Sequence, residues 1–126
     1  VVLSNGKTEE VAPVLKYKPV SEEASALLAT MLEGVVTEGS GKKAYIEGYR
    51  VGGKTGTAQK YEDGHIASGK YVSSFVGFFP ADRPQYLALI IVDEPQGTYY
   101  GSAVAAPVAK DIFEDIIKIK NIQPYV

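Results

Sequence analysis

The sharpest periodicity in the chain places apolar side chains at Ala24, Leu27, Leu28, Met31, Leu32, Val35 and Val36. This is the i, i+3, i+4, i+7, i+8 stripe of an amphipathic helix, and it predicts a helix over residues 21–36 with that stripe buried. Ser21 stands where a side-chain oxygen caps the first turn, and Glu22 and Glu23 suit the positive end of the helix dipole. Gly34 costs roughly 1 kcal/mol against Ala inside a helix, so fraying is expected there, ahead of a Gly39-Ser40-Gly41 loop. Upstream, residues 1–7 read as a strand entering a type I′ turn at Asn5-Gly6, with residues 7–11 returning. Residues 14–18 then run into Pro19, a breaker.

Past the helix the period changes. Residues 49–60 are extended and rich in glycine and threonine, and residues 61–70 are a polar loop with Asp63-Gly64 and the single histidine, His65. Residues 71–79 and 85–92 are β-prone runs joined by Pro80-Ala81-Asp82-Arg83-Pro84. Both runs are apolar on both faces, which predicts cover on both sides of the sheet. Short connections without a crossover helix make the neighbouring strands antiparallel. Residues 94–101 are a loop. A last helix is predicted over residues 103–120, with Val108, Ile112, Ile116 and Ile119 on one face and its regular part starting near Pro107. The order helix, three antiparallel strands, helix assigns the α+β class, an antiparallel sheet flanked by helices.

Composition narrows the function classes. The 126 residues are one domain's worth, 45% hydrophobic and 22% charged, as in ordinary globular material. A net charge of -2 gives no bulk attraction for nucleic acid, and no such partner is expected. No apolar run approaches the length of a membrane span. The absence of cysteine excludes disulfide scaffolds, zinc ribbons and thiol chemistry. One histidine in a polar loop makes no metal site, and neither a metal nor a cofactor is expected. The start at Val1, inside an apolar run, suggests a piece of a longer protein.

Gly52-Gly53-Lys54-Thr55-Gly56-Thr57 is the stretch an ordinary strand would not choose. Glycines weaken a strand and suit a place where a ligand approaches the backbone. Lys54 adds a cation and the threonines add hydroxyls, a set matched to a carboxylate-bearing ligand. Lys54 and Thr55 point to opposite faces, so both serve one ligand only if it lies along the strand edge as an added strand. On composition alone the stretch reads equally well as a glycine-rich edge strand.

Lys54-Thr55-Gly56-Thr57-Ala58-Gln59 resembles the Lys-Thr-Gly element of penicillin-binding proteins. The wider run from Gly48 to Lys60 resembles the class B, monofunctional group. So do Ser74-Phe75-Val76-Gly77-Phe78-Phe79-Pro80-Ala81-Asp82-Arg83-Pro84, Val92-Asp93-Glu94-Pro95 and Ala105-Ala106-Pro107-Val108. The resemblance covers roughly residues 20–117. It implies part of a serine β-lactamase-like transpeptidase fold at the outer face of the bacterial cytoplasmic membrane, in the cell envelope, with any membrane anchor in the parent protein. The parent would cross-link peptidoglycan stem peptides, and bind β-lactams, through a serine acyl-enzyme. Lys54 would then stabilise the anionic end of the site and tune its proton traffic. Thr55 and Thr57 would bind the terminal carboxylate, Gly56 would admit the ligand, and the Thr57 N–H would serve the oxyanion hole.

The family's other two motifs, Ser-x-x-Lys opening an apolar helix and Ser-x-Asn on a loop, do not follow. Ser4-Asn5-Gly6-Lys7 and Ser40-Gly41-Lys42-Lys43 match the first by letter only, because both are rich in turn residues. Residues 1–126 therefore read as the C-terminal portion of the transpeptidase domain without its nucleophile. The expected partners are the rest of that domain or another copy, because the stripe from Leu27 to Val35 lacks its cover. Two other readings remain. Gly48 to Thr55 satisfies the phosphate-binding pattern G-x-x-x-x-G-K-[ST], with Asp93 as a candidate magnesium acid, although no helical stripe follows Lys54. A non-enzymatic module that binds peptides by strand addition would share the edge strand. His65 reads as a solvated loop residue, Asp93 and Glu94 as turn acids, and the nine tyrosines as packing and rim residues.

The chain alone is expected to form no covalent adduct with penicillin, as checked by mass spectrometry. A stable mass increase on Ser4 or Ser40 would reverse the reading of those turns.

Overall fold

Residues 52–93 fold as an antiparallel meander in which each strand follows its neighbour directly. The computed structural model describes residues 4–10 and 12–125. Its elements are α1 (Glu22–Thr37), a short 3-10 turn (Lys42–Ala44), β1 (Gly52–Glu62), β2 (His65–Phe79), β3 (Tyr86–Asp93), α2 (Gly101–Val104) and α3 (Ala106–Lys120). Among the described residues the strands form a sheet in the order β1-β2-β3. Gly52 pairs with Phe78, Gln59 with Tyr71, Phe79 with Tyr86 and Val72 with Asp93. This is the α+β antiparallel arrangement that the sequence predicts.

Several expectations need correction. Residues 61–70 are not a loop. β1 and β2 continue as a two-stranded ribbon, pairing Tyr61 with Ile66 and Glu62 with His65. Asp63 and Gly64 take φ of 50° and 79°, the double positive φ that closes a tight hairpin. The ribbon projects beyond β3 and is exposed on both faces, so it carries no apolar alternation to betray it. The Asn5-Gly6 turn is different. Gly6 has φ of 77° but Asn5 does not join it, and the Asn5 carboxamide oxygen instead accepts from Lys7 N at 3.0 Å. Of the returning strand, Thr8 makes a single bridge; residues 1–3 and Val11 lie outside the described residues.

α1 begins as expected, with Ala24 N donating to Ser21 Oγ at 3.1 Å. It does not fray at Gly34. The Gly34 carbonyl accepts from Glu38 N and Gly39 N and so closes the helix end. α3 begins beside Pro107, but its buried face is Ala106, Ala109 and Phe113 rather than the isoleucine face. Val108, Ile112 and Ile119 are exposed, and small alanines bring the helix close to the sheet. There Phe113 meets Phe79 with ring centroids 6.0 Å apart, and Phe75, Val36 and Val51 complete the core.

Among the described residues the two faces of the sheet are covered unequally: one is packed on the core, and α1 reaches only part of the other. Tyr86, Ala88, Ile90 and Val92 pack on the core, whereas Leu87, Leu89 and Ile91 are 72%, 58% and 61% exposed. On that same face the α1 stripe leaves Leu27, Leu28 and Met31 exposed, as expected of a stripe without its cover. A groove of about 420 Å³ runs between Leu28, Leu32, Phe78 and Leu87. α1 stays attached through a two-pronged ion pair. Arg50 Nε and Nη2 reach the Glu33 carboxylate at 2.8 and 2.7 Å, and Arg50 Nη1 lies 3.5 Å from Asp82.

Phe113→Ala should destabilise the chain by about 3–5 kcal/mol through the cavity it leaves, whereas Ile119→Ala should change stability by less than ~0.5 kcal/mol. Equilibrium urea unfolding of the two variants would measure the contrast.

Candidate active site

β1 pairs with β2 along one side, and among the described residues its other edge is open. An open edge presents unpaired backbone amides and carbonyls to an incoming extended chain. Lys54 and Thr57 are exposed, and Thr55 and Gly56 are half-buried. No helix begins at Lys54 or Thr55; the strand runs through both and on to Glu62. That removes the phosphate-loop reading, which requires helix N-terminal amides at this point.

The side chains alternate as a strand dictates. Lys54 Nζ donates to the Thr55 carbonyl at 3.0 Å and has no carboxylate partner among the described residues. On the other face the Thr55 and Ser40 hydroxyls lie 3.1 Å apart, and Thr57 Oγ1 accepts from Gly101 N at 3.2 Å. The glycines have a packing reason beyond ligand access. A Cβ on Gly53 would sit 2.7 Å from the Val76 carbonyl oxygen, and one on Gly101 would sit 2.5 Å from the Gly56 carbonyl oxygen. Helix α2 thus starts directly against the strand, where a methyl group has no room.

Three aromatic residues beside Thr57 escape a reading of the sequence. The Tyr71 and Tyr99 rings stack with centroids 4.0 Å apart and planes at 7°, and Tyr100 follows at 4.7 Å. Ser73, fully buried, donates its hydroxyl to the Tyr99 carbonyl and fixes the loop. The Tyr99 phenol is pushed up to about 12, first by its hydrogen bond to Tyr100 and then by the neighbouring phenols. The signal available was Tyr99-Tyr100 immediately before Gly101, but only the fold brings Tyr71 to them.

The far end of β1 is held by charge. Lys60 Nζ reaches Asp93 at 2.9 Å and Glu94 at 2.8 Å, crossing over β2. The hydrogen bond to Glu94, then that to Asp93, raises the Lys60 pKa. Asp93 closes β3 and Glu94 turns with φ of 48°, in keeping with turn acids. His65 is exposed, its Nδ1 3.0 Å from the Asp63 carbonyl oxygen. Neither Ser4 nor Ser40 opens an apolar helix; Ser40 precedes a single 3-10 turn.

The family model for the penicillin-binding protein transpeptidase domain matches residues 2–114. The chain belongs to this family. Stage V sporulation protein D of Bacillus subtilis is 45% identical over 114 residues, which span 90% of this chain and 18% of that protein. A peptidoglycan D,D-transpeptidase FtsI homolog of Chlorokybus atmophyticus is 44% identical over 108 residues, 84% of this chain and 16% of that one. Penicillin-binding protein 3 of Mycobacterium tuberculosis, solved in complex with ampicillin, superposes with a TM-score of 0.78 at 28% identity. The match covers 98% of this chain and 30% of that structure. The chain thus spans under a fifth of these two curated relatives and just under a third of that solved chain.

Gly101→Ala should force α2 off β1 and destabilise the chain by about 1–3 kcal/mol. Gly34→Ala, with nothing within 4 Å of the new methyl, should stabilise it, by roughly 0.5–1 kcal/mol. Urea unfolding of the pair would separate close approach from backbone entropy.

Proposed function

We propose that this chain is the C-terminal portion of the transpeptidase domain of a peptidoglycan D,D-transpeptidase, and that it supplies the substrate-binding edge strand. The observation that carries the proposal is the open edge of β1, with Lys54, Thr55 and Thr57 accessible along it. A D-Ala-D-Ala stem peptide, or a β-lactam in its place, lies along β1 as an added strand. Thr55 and Thr57 donate to its carboxylate, and Lys54 contributes positive charge. A serine from outside this chain attacks the penultimate carbonyl, the peptide C–N bond breaks, and the terminal D-alanine leaves as the amine. An amine of a second stem then displaces the serine and completes the cross-link. With a β-lactam the ring amide opens and nothing departs, so the acyl-enzyme persists.

The oxyanion formed at each attack needs donors already in place. The Thr57 N–H is one of them, and a donor of this kind contributes about 10²–10³ in rate. The Tyr71-Tyr99-Tyr100 cluster walls the strand at this point and offers ring faces to whatever side chain the ligand carries. The rest of the same domain covers Leu28, Met31, Leu87 and Leu89. That cover is supported by their exposure here and by the greater length of the relatives. The cell envelope is the compartment in which such a substrate exists.

In the complete protein, Lys54→Ala should slow labelling by a fluorescent penicillin at least tenfold while changing stability by less than ~0.5 kcal/mol. Time-resolved labelling beside thermal unfolding tests this. Labelling at the parental rate would make Lys54 an ordinary edge residue, and a complete protein that took no label would overturn the transpeptidase reading.

A further inference from the structure

We infer that Ser40 is a positioning residue that orients the Thr55 hydroxyl, so that both threonines of β1 meet their ligand as hydrogen-bond donors. The inference rests on the reading of Thr55 and Thr57 as carboxylate contacts. A hydroxyl has one proton and two lone pairs, and a carboxylate can only accept. A threonine is therefore useful to the anion only when its own proton is not committed elsewhere.

At Thr57 the matter is settled by the backbone. Gly101 N–H can only donate, so Thr57 Oγ1 is the acceptor at 3.2 Å and keeps its proton for another partner. Thr55 lies two residues away on the same face and has a hydroxyl behind it instead, Ser40 Oγ at 3.1 Å. Either oxygen can donate in the free protein. Once an anion takes the Thr55 proton, the remaining arrangement is Ser40 donating to Thr55. The relay also strengthens the outward bond, because a hydroxyl that accepts becomes a better donor.

Ser40 is held where this requires it. It sits on the turn that closes α1, where Gly39 N donates to the Gly34 carbonyl at 3.2 Å and Gly41 N to the Val35 carbonyl at 2.9 Å. A Cβ on Gly39 would lie 2.9 Å from the Val35 carbonyl oxygen, so the turn hugs the helix end. Beside it Val36 is fully buried in the core. The loop that reads in sequence as a spurious nucleophile motif is thus a fixed arm from α1 to the binding strand.

The test uses the complete transpeptidase and stopped-flow acylation by a carboxylate-bearing fluorescent penicillin, which separates the apparent Kd from the limiting acylation rate. Ser40→Ala should weaken the apparent Kd about three- to tenfold, the worth of one hydrogen bond. The limiting rate should stay within twofold and the thermal midpoint unchanged. Ser40→Thr, which keeps the hydroxyl, should restore the apparent Kd. In a Thr55→Val background, Ser40→Ala should add no further loss, because the partner through which it acts is gone. An unchanged or tighter apparent Kd in Ser40→Ala would overturn the inference. So would losses that add in the double variant, or a lowered thermal midpoint that Ser40→Thr fails to rescue. If the parent protein takes no label, the transpeptidase reading itself falls, which is distinguishable from a parent that labels and a Ser40 that is indifferent.

Discussion

The antiparallel ladder between β1 and β2 is the contact on which the rest of the molecule depends. Among the described residues β1 has a neighbouring strand on one side only, so its position relative to everything else is fixed by that ladder and by what presses on it. Phe75 reaches under Gly53, and midway along the ladder Gly101 abuts the Gly56 and Ser74 carbonyls. Both contacts need glycine, because a single methyl group at either position would collide with backbone. The ladder's two ends are then tied by charge, Arg50 to Glu33 at one and Lys60 to Asp93 and Glu94 at the other. An open edge can be both accessible and rigid only when its other three sides are secured in this way.

That arrangement explains why hydroxyls rather than a dense cluster of charges line the accessible part. An edge strand that binds by backbone pairing already has directional donors and acceptors. Its side chains need only fix the ligand's end, and a threonine backed by a fixed donor does so with little conformational freedom to lose. The exposed Lys54 adds a full positive charge beside them. The apolar face formed by α1 and Leu87, Leu89 and Ile91 lies on the opposite side of the sheet from the phenylalanine core.

Local signals in the sequence carried much of the fold. Ser21 and the acidic first turn located α1, Pro107 located the start of α3, and turn chemistry separated the strands. Where sequence and structure differ, the reason is physical. Periodicity points to the isoleucine face of α3, whereas close packing against the sheet selects Ala106 and Ala109, whose value lies in being small. The ribbon beyond Lys60 reads as a loop in the sequence because a strand exposed on both faces has no hydrophobic period. Lys54 to Thr57 were legible through family resemblance. Their supports were not, since Ser40 is 15 residues from Thr55, and Gly101 is 44 residues from Thr57. Hydrogen bonds across such separations leave no periodic trace.

Those separations also bear on the order of assembly during synthesis. Gly52 to Gln59 leave the ribosome just ahead of β2 and well ahead of Gly101, which lies against the strand in the finished molecule, and of Phe113, which packs on β2. Domains fold as units during synthesis at about 5–20 residues per second, so the nascent binding strand waits seconds for its supports. In that interval its amides are unpaired and its glycines impose no shape. The ligand-facing edge is therefore made before the elements that hold it and is among the last parts of this chain to acquire its geometry.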